Sequence, residues 1–171
     1  MTIAFIYAVA GVAILAATPA LSQSTGQPSE VIGSWQVTCR GAADARTCAI
    51  VQQQATKESN DARQRLLAVE IMPSGNGARG VMILPFGLDL DKGVRFSVEG
   101  APGAALRFKT CIPAGCLVDL AFGPESLKSL GAASVATVEV TALENQAISR
   151  WSIRLDGFPE ALDRARSLSR R

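Results

Sequence analysis

The sequence predicts an all-β domain, either a sandwich or a barrel, and three observations carry this prediction. Short apolar runs recur roughly every ten residues, and Gly, Pro, Asn and Asp separate them. Some runs alternate between apolar and polar residues, as residues 94–99 do, with Val94, Phe96 and Val98 on one face. Charged residues make up only 19% of the chain, which argues against disorder. The length of 171 residues suits one folded domain with a leader.

Nine strands are expected, over residues 34–39, 48–53, 66–72, 81–84, 94–99, 106–111, 116–122, 134–141 and 147–155. Trp35 and Trp151 occupy inward positions of the first and last strands, where core packing is the expected role. Residues 81–84 are apolar throughout, so burial on both faces is predicted. Residues 73–77 contain an Asn-Gly pair that tolerates positive φ, and Gly93 is expected to close a hairpin turn.

Two helices interrupt the strands. The first is predicted over residues 124–130, with proline at its first position and Gly131 as its stop. The second is predicted over residues 159–168, where apolar residues recur at helical spacing. We expect this C-terminal helix to pack on the edge or on one end of the sandwich.

We predict that the chain divides into a signal peptide over residues 1–22, a flexible linker over 23–32 and the β-sandwich domain over 33–171. Residues 3–17 are apolar and uncharged, a run that is short for a membrane span and typical of a signal-peptide core. Small-residue cleavage patterns end at Ala20 and at Ser22, and the second makes Gln23 the first mature residue. No Lys or Arg precedes the run, so an uncleaved anchor is one alternative. A buried N-terminal helix is another, and the uncharged residues 23–29 that follow argue against it.

Export would place four cysteines, Cys39, Cys48, Cys111 and Cys116, in an oxidising compartment where disulfides persist. Three pairings are open, and the sequential one is favoured because each pair closes a short loop that looks like a hairpin. Each of these disulfides would stabilise the fold by about 2–3 kcal/mol. A crossed pairing would close a longer loop and contribute about 4–5 kcal/mol, but local pairing needs no global fold to bring the thiols together. A metal site with four thiolate ligands and a redox pair are alternatives that the cysteine spacings disfavour, because no C-x-x-C occurs.

The second cysteine pair poses a register problem. Cys111 alternates with polar Arg107 and Lys109, whereas Cys116 alternates with apolar residues such as Val118. Directly paired residues share one face of a sheet. Either a β-bulge shifts one strand, or this hairpin lies at a rim where both faces are partly covered.

Composition excludes several classes of function. The chain has no histidine, which removes Ser-His-Asp and Cys-His catalysis and His-based zinc sites. Its net charge of +2 offers no dense basic face, so nucleic-acid binding is not expected. Residues 89–93 faintly resemble a calcium loop, but Lys92 stands where an oxygen ligand is needed. We therefore predict no catalytic residue, metal or cofactor.

A binding face is the main functional prediction from the residues themselves. Arginine is favoured where carboxylates, phosphates or protein partners are bound bidentately. The candidate residues lie on predicted strands or next to them: Arg95, Arg107, Lys109, Arg150 and Arg154. A solvated sheet face is the alternative interpretation.

Several motifs together resemble the invasion-associated locus B family. Trp35 precedes the first cysteine pair, residues 84–94 read LPFGLDLDKGV, and residues 108–116 read FKTCIPAGC. Residues 155–158 read LDGF, and the resemblance extends over residues 33–168. Chance would not place the last three of these motifs in this order.

The resemblance implies an exported, disulfide-bonded immunoglobulin-like β-sandwich from a Gram-negative bacterium. Such a sandwich would have about nine short strands, a short internal helix and a C-terminal helix. The family is named for entry into host cells, and it provides no catalytic residues to transfer. The residues that the resemblance marks as structural, besides the cysteines, are Trp35, Pro85, Gly87, Gly93, Gly115, Gly157 and Phe158.

The expected function is therefore that of a non-enzymatic envelope protein, periplasmic, surface-associated or secreted, with a role in host-cell interaction and virulence. It would bind a protein or envelope component through a sheet face or a loop end. Contact with a membrane is expected only through an uncleaved leader. The alternatives are a periplasmic hydrolase that uses two carboxylates in a cleft, and a passive stress or stability factor of the envelope.

Overall fold

A computed structural model describes residues 29–42, 45–57 and 63–169, which form two packed antiparallel sheets and two helices. The elements in chain order are β1 (Ser29–Ile32), β2 (Trp35–Arg40), β3 (Thr47–Lys57), β4 (Arg63–Ser74), β5 (Gly77–Leu84), β6 (Val94–Val98), β7 (Ala101–Leu106), β8 (Phe108–Ile112), β9 (Gly115–Phe122), α1 (Pro124–Ala132), β10 (Val135–Thr141), β11 (Ile148–Arg154) and α2 (Phe158–Ser169). The predicted all-β sandwich with an internal and a C-terminal helix is confirmed. The described residues form eleven strands, where about nine were predicted.

The two sheets differ in size. The large sheet has seven strands in the order β1-β2-β3-β4-β5-β9-β8, and the small sheet has four in the order β11-β10-β6-β7. Because β5 and β6 belong to different sheets, Gly93 does not close the predicted hairpin. It follows a 3-10 turn over Leu90–Lys92 in the connection between the sheets, and it does have the expected positive φ, 66°.

The predicted strand over 106–111 is divided at Arg107, where the chain passes from the small sheet to the large one. Strand β7, just before this point, was not predicted, because its sequence is rich in Ala, Pro and Gly, which are depleted in strands. Gly103 is required there, since a Cβ at this position would lie 1.3 Å from the Phe96 carbonyl oxygen. The β6–β7 register shifts between Phe96 and Val98.

The predicted linker over 23–32 is wrong for its last four residues, which form β1. This strand pairs with β2 in the register Glu30 to Val37. Its side chains are mostly exposed, so the apolar alternation that reveals a strand in a sequence is absent. Residues 23–28 and the predicted signal peptide over 1–22 lie outside the described residues.

The C-terminal helix covers part of the inner face of the large sheet. Helix α2 packs on β2, β3 and β4 and buries Ala161, Leu162 and Ala165. Packing on an edge or an end of the sandwich was predicted instead. The four strands of the small sheet leave part of a seven-stranded face uncovered, and α2 fills that space. No helix among the described residues has the length and apolarity that crossing a membrane requires.

The two largest fully buried side chains lie where α2 meets the large sheet. Trp35 is fully buried and packs edge-to-face on Phe158, with 5.4 Å between the ring centroids. Trp151 is partly buried against the same core. Both tryptophans therefore pack inward, as the alternation of their strands predicts.

Three local predictions need correction. Helix α1 continues through Gly131 to Ala132, because Gly131 does not take the left-handed conformation that ends a helix. In the turn between β4 and β5, the positive φ falls at Gly75 and not at the Asn-Gly pair. In residues 81–84, Met82 and Leu84 are buried while the two residues on the outer face are only partly buried.

Each disulfide joins directly paired residues of neighbouring strands. Cys39 is bonded to Cys48 across β2 and β3, and Cys111 to Cys116 across β8 and β9, which is the sequential pairing. The register of β8 on β9 shifts between Phe108 and Thr110. This β-bulge is the first of the two explanations offered for the register problem, and it accounts for the pairing of Cys111 with Cys116.

Removing the first disulfide should cost more stability than removing the second. Cys39 and Cys48 are both buried, whereas Cys111 is exposed and its disulfide closes a shorter loop. We expect Cys39→Ala with Cys48→Ala to lower the free energy of unfolding by about 2–3 kcal/mol in chemical denaturation. The matched control, Cys111→Ala with Cys116→Ala, should lose less, and a larger loss in the control would contradict this account.

The turn that contains Gly33 and the turn that contains Gly157 lie so close together that their backbones are in contact. Both glycines have positive φ, 56° and 74°. A Cβ on Gly33 would lie 2.3 Å from the Asp156 carbonyl oxygen, and one on Gly157 would lie 2.6 Å from the Ile32 carbonyl oxygen. The Ser34 backbone N–H donates to that Asp156 carbonyl oxygen at 3.1 Å, so the contact joins β2 to the start of α2.

Candidate functional site

Three charged side chains cross the outer face of the small sheet in a line, which we call the Arg–Glu–Arg row. Glu139 on β10 is paired in register with Arg95 on β6 and with Arg150 on β11. The Arg150 Nε donates to Glu139 Oε2 at 2.8 Å, and the Arg95 Nε lies 3.7 Å from Glu139 Oε1. Two guanidinium groups thus share one carboxylate, which leaves a net positive charge.

The alternation of the strands sets the row on the outer face. Val138 and Val140, on either side of Glu139, are buried in the core, so Glu139 faces away from it. The Arg95 and Arg150 side chains are 70% and 63% exposed. Ion pairs this exposed contribute roughly 0–1 kcal/mol to stability, so folding alone gives little reason for the row.

The row leaves hydrogen-bond donors available. Each arginine contacts Glu139 through Nε, and its Nη atoms have no acceptor among residues 29–42, 45–57 and 63–169. A guanidinium has five N–H donors in a plane, arranged to bind a carboxylate or another oxyanion bidentately. The row can therefore bind an anionic group while Glu139 holds both arginines in place.

The five cations that the sequence predicts as a face do not all lie together. Arg154 is on the same face of β11 as Arg150, and Arg107 is exposed directly after β7, beside Gly93. Lys109 is instead on β8 in the large sheet, where its Nζ lies 2.8 Å from Asp119 Oδ2. The prediction of one face is wrong for Lys109, because the chain changes sheets at Arg107.

Two glutamines that the sequence analysis did not single out cover part of the edge of β11. The Gln52 side chain accepts from the Arg154 N–H at 3.0 Å and donates to the Arg154 carbonyl oxygen at 2.9 Å. The Gln54 side chain donates to the Ser152 carbonyl oxygen. Because these backbone groups are occupied, the adjoining face of the sheet is a better binding surface than this part of its edge.

Apolar side chains are exposed at one end of the small sheet, which we call the tip. The tip consists of the connection over residues 85–93 and the β10–β11 turn over residues 142–147, joined by a hydrogen bond from Leu143 N–H to the Gly87 carbonyl oxygen, 2.8 Å. The exposed large apolar residues of the tip are Phe86, Leu90 and Leu143. The adjoining first residue of β11, Ile148, is also exposed. Phe86 and Leu143 are 60% and 61% exposed.

Sequence reasoning missed this apolar cluster, although a signal was present. Leu90 and Leu143 stand next to Asp and Glu in segments of turn composition, where an apolar residue has no strand face to join. Single exposed apolar residues are ordinary on protein surfaces. Only tertiary contacts, such as the hydrogen bond from Leu143 to Gly87, show that the two segments form one surface.

The residues that the resemblance marks as structural support the tip and the core. Gly87, two residues after Pro85, has a φ of 83°. Gly115 has a φ of 134°, and a Cβ there would lie 2.4 Å from the Leu84 carbonyl oxygen. Among the described residues, the groove of about 760 Å³ beside Gln52 and the cleft of about 300 Å³ beside α1 and β7 have no Asp or Glu in their lining, and a second cleft of about 300 Å³ between α1 and α2 has one, Asp163.

Comparison with known proteins gives a consistent result. The family model described as "Invasion associated locus B (IalB) protein" matches residues 35–166. An invasion protein B homolog of Brucella abortus strain 2308 is 33% identical over 142 residues, which cover 82% of this chain and 80% of that protein. Invasion protein B of Bartonella bacilliformis is 30% identical over 146 residues, covering 83% of this chain and 76% of that protein.

A solved structure agrees on the fold. The crystal structure of invasion associated protein B from Bartonella henselae superposes with a TM-score of 0.73 at 24% identity, covering 84% of this chain and 97% of that one. The family match spans both sheets and both disulfides. This chain belongs to the invasion-associated locus B family.

Proposed function

We propose that this protein is exported to the bacterial envelope and acts there without catalysis, by binding a protein partner through the outer face of the small sheet. Its role would be in the interaction with host cells, as the names of its relatives suggest. The observation that carries the proposal is the Arg–Glu–Arg row, two exposed guanidiniums held by one carboxylate on a sheet face. Arginine is enriched among the residues that dominate binding energy at protein interfaces.

Export is supported by the disulfides. All four cysteines are paired, and such bonds form and persist outside the reducing cytoplasm. Cell fractionation followed by mass spectrometry of the intact protein should find a periplasmic or surface-associated form that begins at Gln23, with both disulfides formed. A protein with free thiols in the cytoplasmic fraction would refute export.

The binding role is tested by reversing the charge of the row. Immobilised protein, purified from the envelope with its disulfides intact, is used to capture partners from envelope and host-cell extracts. We expect Arg95→Glu with Arg150→Glu to weaken capture at least about tenfold, because like charges facing each other across an interface cost several kcal/mol. Arg79→Glu with Lys128→Glu is the matched control, since both residues are exposed on other surfaces.

The outcomes separate the alternatives. If charge reversal leaves every captured partner unchanged, the binding role of the row is wrong. A passive stability factor of the envelope would then be favoured, and it would show only as a deletion phenotype under envelope stress. A hydrolase would be detected as turnover of envelope substrates by the same purified protein.

A further inference from the structure

The tip carries the opposite charge to the row. Asp89, Asp91 and Glu144 stand there against one cation, Lys92. Gln146 hydrogen-bonds to both Lys92 and Asp89, which ties the two segments of the tip together. Asp91 and Glu144 are exposed and have no ion-pair partner within the described ranges.

Apolar and charged side chains follow one another along the outer face of the small sheet. Ile148, exposed, pairs with Thr141 where β11 leaves the tip, and the next pair on that face is Glu139 with Arg150. Two residues of a strand span about 7 Å. From its end inward, the surface is thus acidic and apolar, then apolar at Ile148, then basic at the row.

We propose that the partner bound by the row is a second copy of this chain. The two copies would be related by a two-fold axis close to Ile148, so that the acidic tip of each copy lies over the Arg–Glu–Arg row of the other. The proposal rests on the proposed function, in that it takes the outer face of the small sheet as the binding surface. It adds the identity of the partner.

A two-fold axis suits this order of residues. In such an interface one residue contacts a second on the other copy, and the second contacts the first in return. A surface with an acidic end, an apolar middle and a basic row is complementary to a second copy of itself turned by 180°. The apolar residues Leu143 and Ile148 would then be buried near the axis, with charged pairs around them, as at other protein interfaces.

Another occupant fits less well. An acidic partner that approached the row would meet the carboxylates of the tip, which would repel it. A partner strand added to the edge of β11 would meet backbone groups that Gln52 and Gln54 already bond. A second copy satisfies the row and the tip together.

The test is a charge-swap experiment on the chain expressed with its own leader and purified from the envelope. The face-reversed variant carries Arg95→Glu, Glu139→Lys and Arg150→Glu, so that the row keeps its internal ion pairs with the signs exchanged. The tip-reversed variant carries Asp91→Lys and Glu144→Lys. Sedimentation velocity over a concentration series measures the dimer dissociation constant of each protein, alone and in a one-to-one mixture.

We expect the unchanged chain to dimerise, with a Kd that rises with salt because the ion pairs are screened. Each variant alone should have a Kd at least about tenfold higher, because equal charges would then face each other. The mixture should form a heterodimer, since the negative face of one variant meets the positive tip of the other. Leu143→Ser, in an exposed turn, should also weaken the dimer without affecting the fold.

Three results would overturn the proposal: a monomeric unchanged chain, variants that dimerise as tightly as it does, or variants that stay monomeric when mixed. Near-ultraviolet circular dichroism checks that each variant is folded. A monomer whose capture of other proteins depends on Arg150 would refute the dimer and leave the proposed function standing. A dimer that behaves as expected, with capture of all other proteins insensitive to the row, would uphold the dimer and refute the role of this face in host-cell interaction.

Discussion

Replacing Trp35 with alanine is expected to lower the free energy of unfolding by about 4 kcal/mol, the largest effect of any single substitution considered for this protein. The Trp35 side chain is fully buried and contacts Phe158 of α2 edge-to-face. Its removal leaves a cavity where the large sheet meets α2, and a close-packed interior fills such a cavity only in part. Urea denaturation followed by far-ultraviolet circular dichroism measures the loss.

Trp35→Phe is the matched control. The Trp35 Nε1 atom is buried without a hydrogen-bond partner in the described part of the chain, so the loss of its N–H leaves no acceptor unsatisfied. Phenylalanine keeps an aromatic ring against Phe158, and we expect a loss of about 1 kcal/mol. Equal losses for the two variants would show that Trp35 stabilises the fold by something other than filled volume.

Gly157→Ala is expected to lower the free energy of unfolding by about 3 kcal/mol, the second largest effect. Two costs add at this position. The φ of 74° is unfavourable for a residue with a Cβ, and that Cβ would lie 2.6 Å from the Ile32 carbonyl oxygen. The neighbouring atoms are backbone, including that of Gly33, so they cannot rotate away as a side chain would.

Gly75→Ala separates these two costs. Gly75 also has a positive φ, 57°, but nothing lies within 4 Å of the position that its Cβ would take. We therefore expect Gly75→Ala to lower the free energy of unfolding by only about 1 kcal/mol, the cost of the left-handed conformation. If Gly157→Ala lowered the free energy of unfolding no more than Gly75→Ala in the same denaturation assay, the close approach of the two turns would add nothing to the cost of the Cβ.

The part of the fold that could be predicted is the part that shows a local pattern. The predicted strand over 94–99 differs by one residue from β6, and that over 116–122 by one residue from β9, because apolar alternation marks a strand with one buried face. Strands β1 and β7 were missed because neither alternates in this way: one is mostly exposed and the other consists largely of small residues. A local pattern is visible only where a strand buries large side chains.

The candidate site was predicted in part for the same reason. Arg95 and Arg150 could be recognised as outward residues of their strands. Glu139, which holds them both, was not singled out, because its role depends on the pairing of β10 with β6. The apolar tip was missed because two segments about fifty residues apart in sequence form it only through tertiary hydrogen bonds.

The amino-acid sequence by itself determined which segments alternate, where cysteines stand at the ends of neighbouring strands, and where glycine permits a positive φ. These properties depend on residues close together in the chain. Tertiary structure alone decided which sheet each strand joins, that Lys109 lies apart from the arginines, and that a basic row lies behind an acidic, apolar tip. The physical reason is that the pairing of distant strands follows from the packing of both sheets and α2 around one core, which no local stretch of sequence contains.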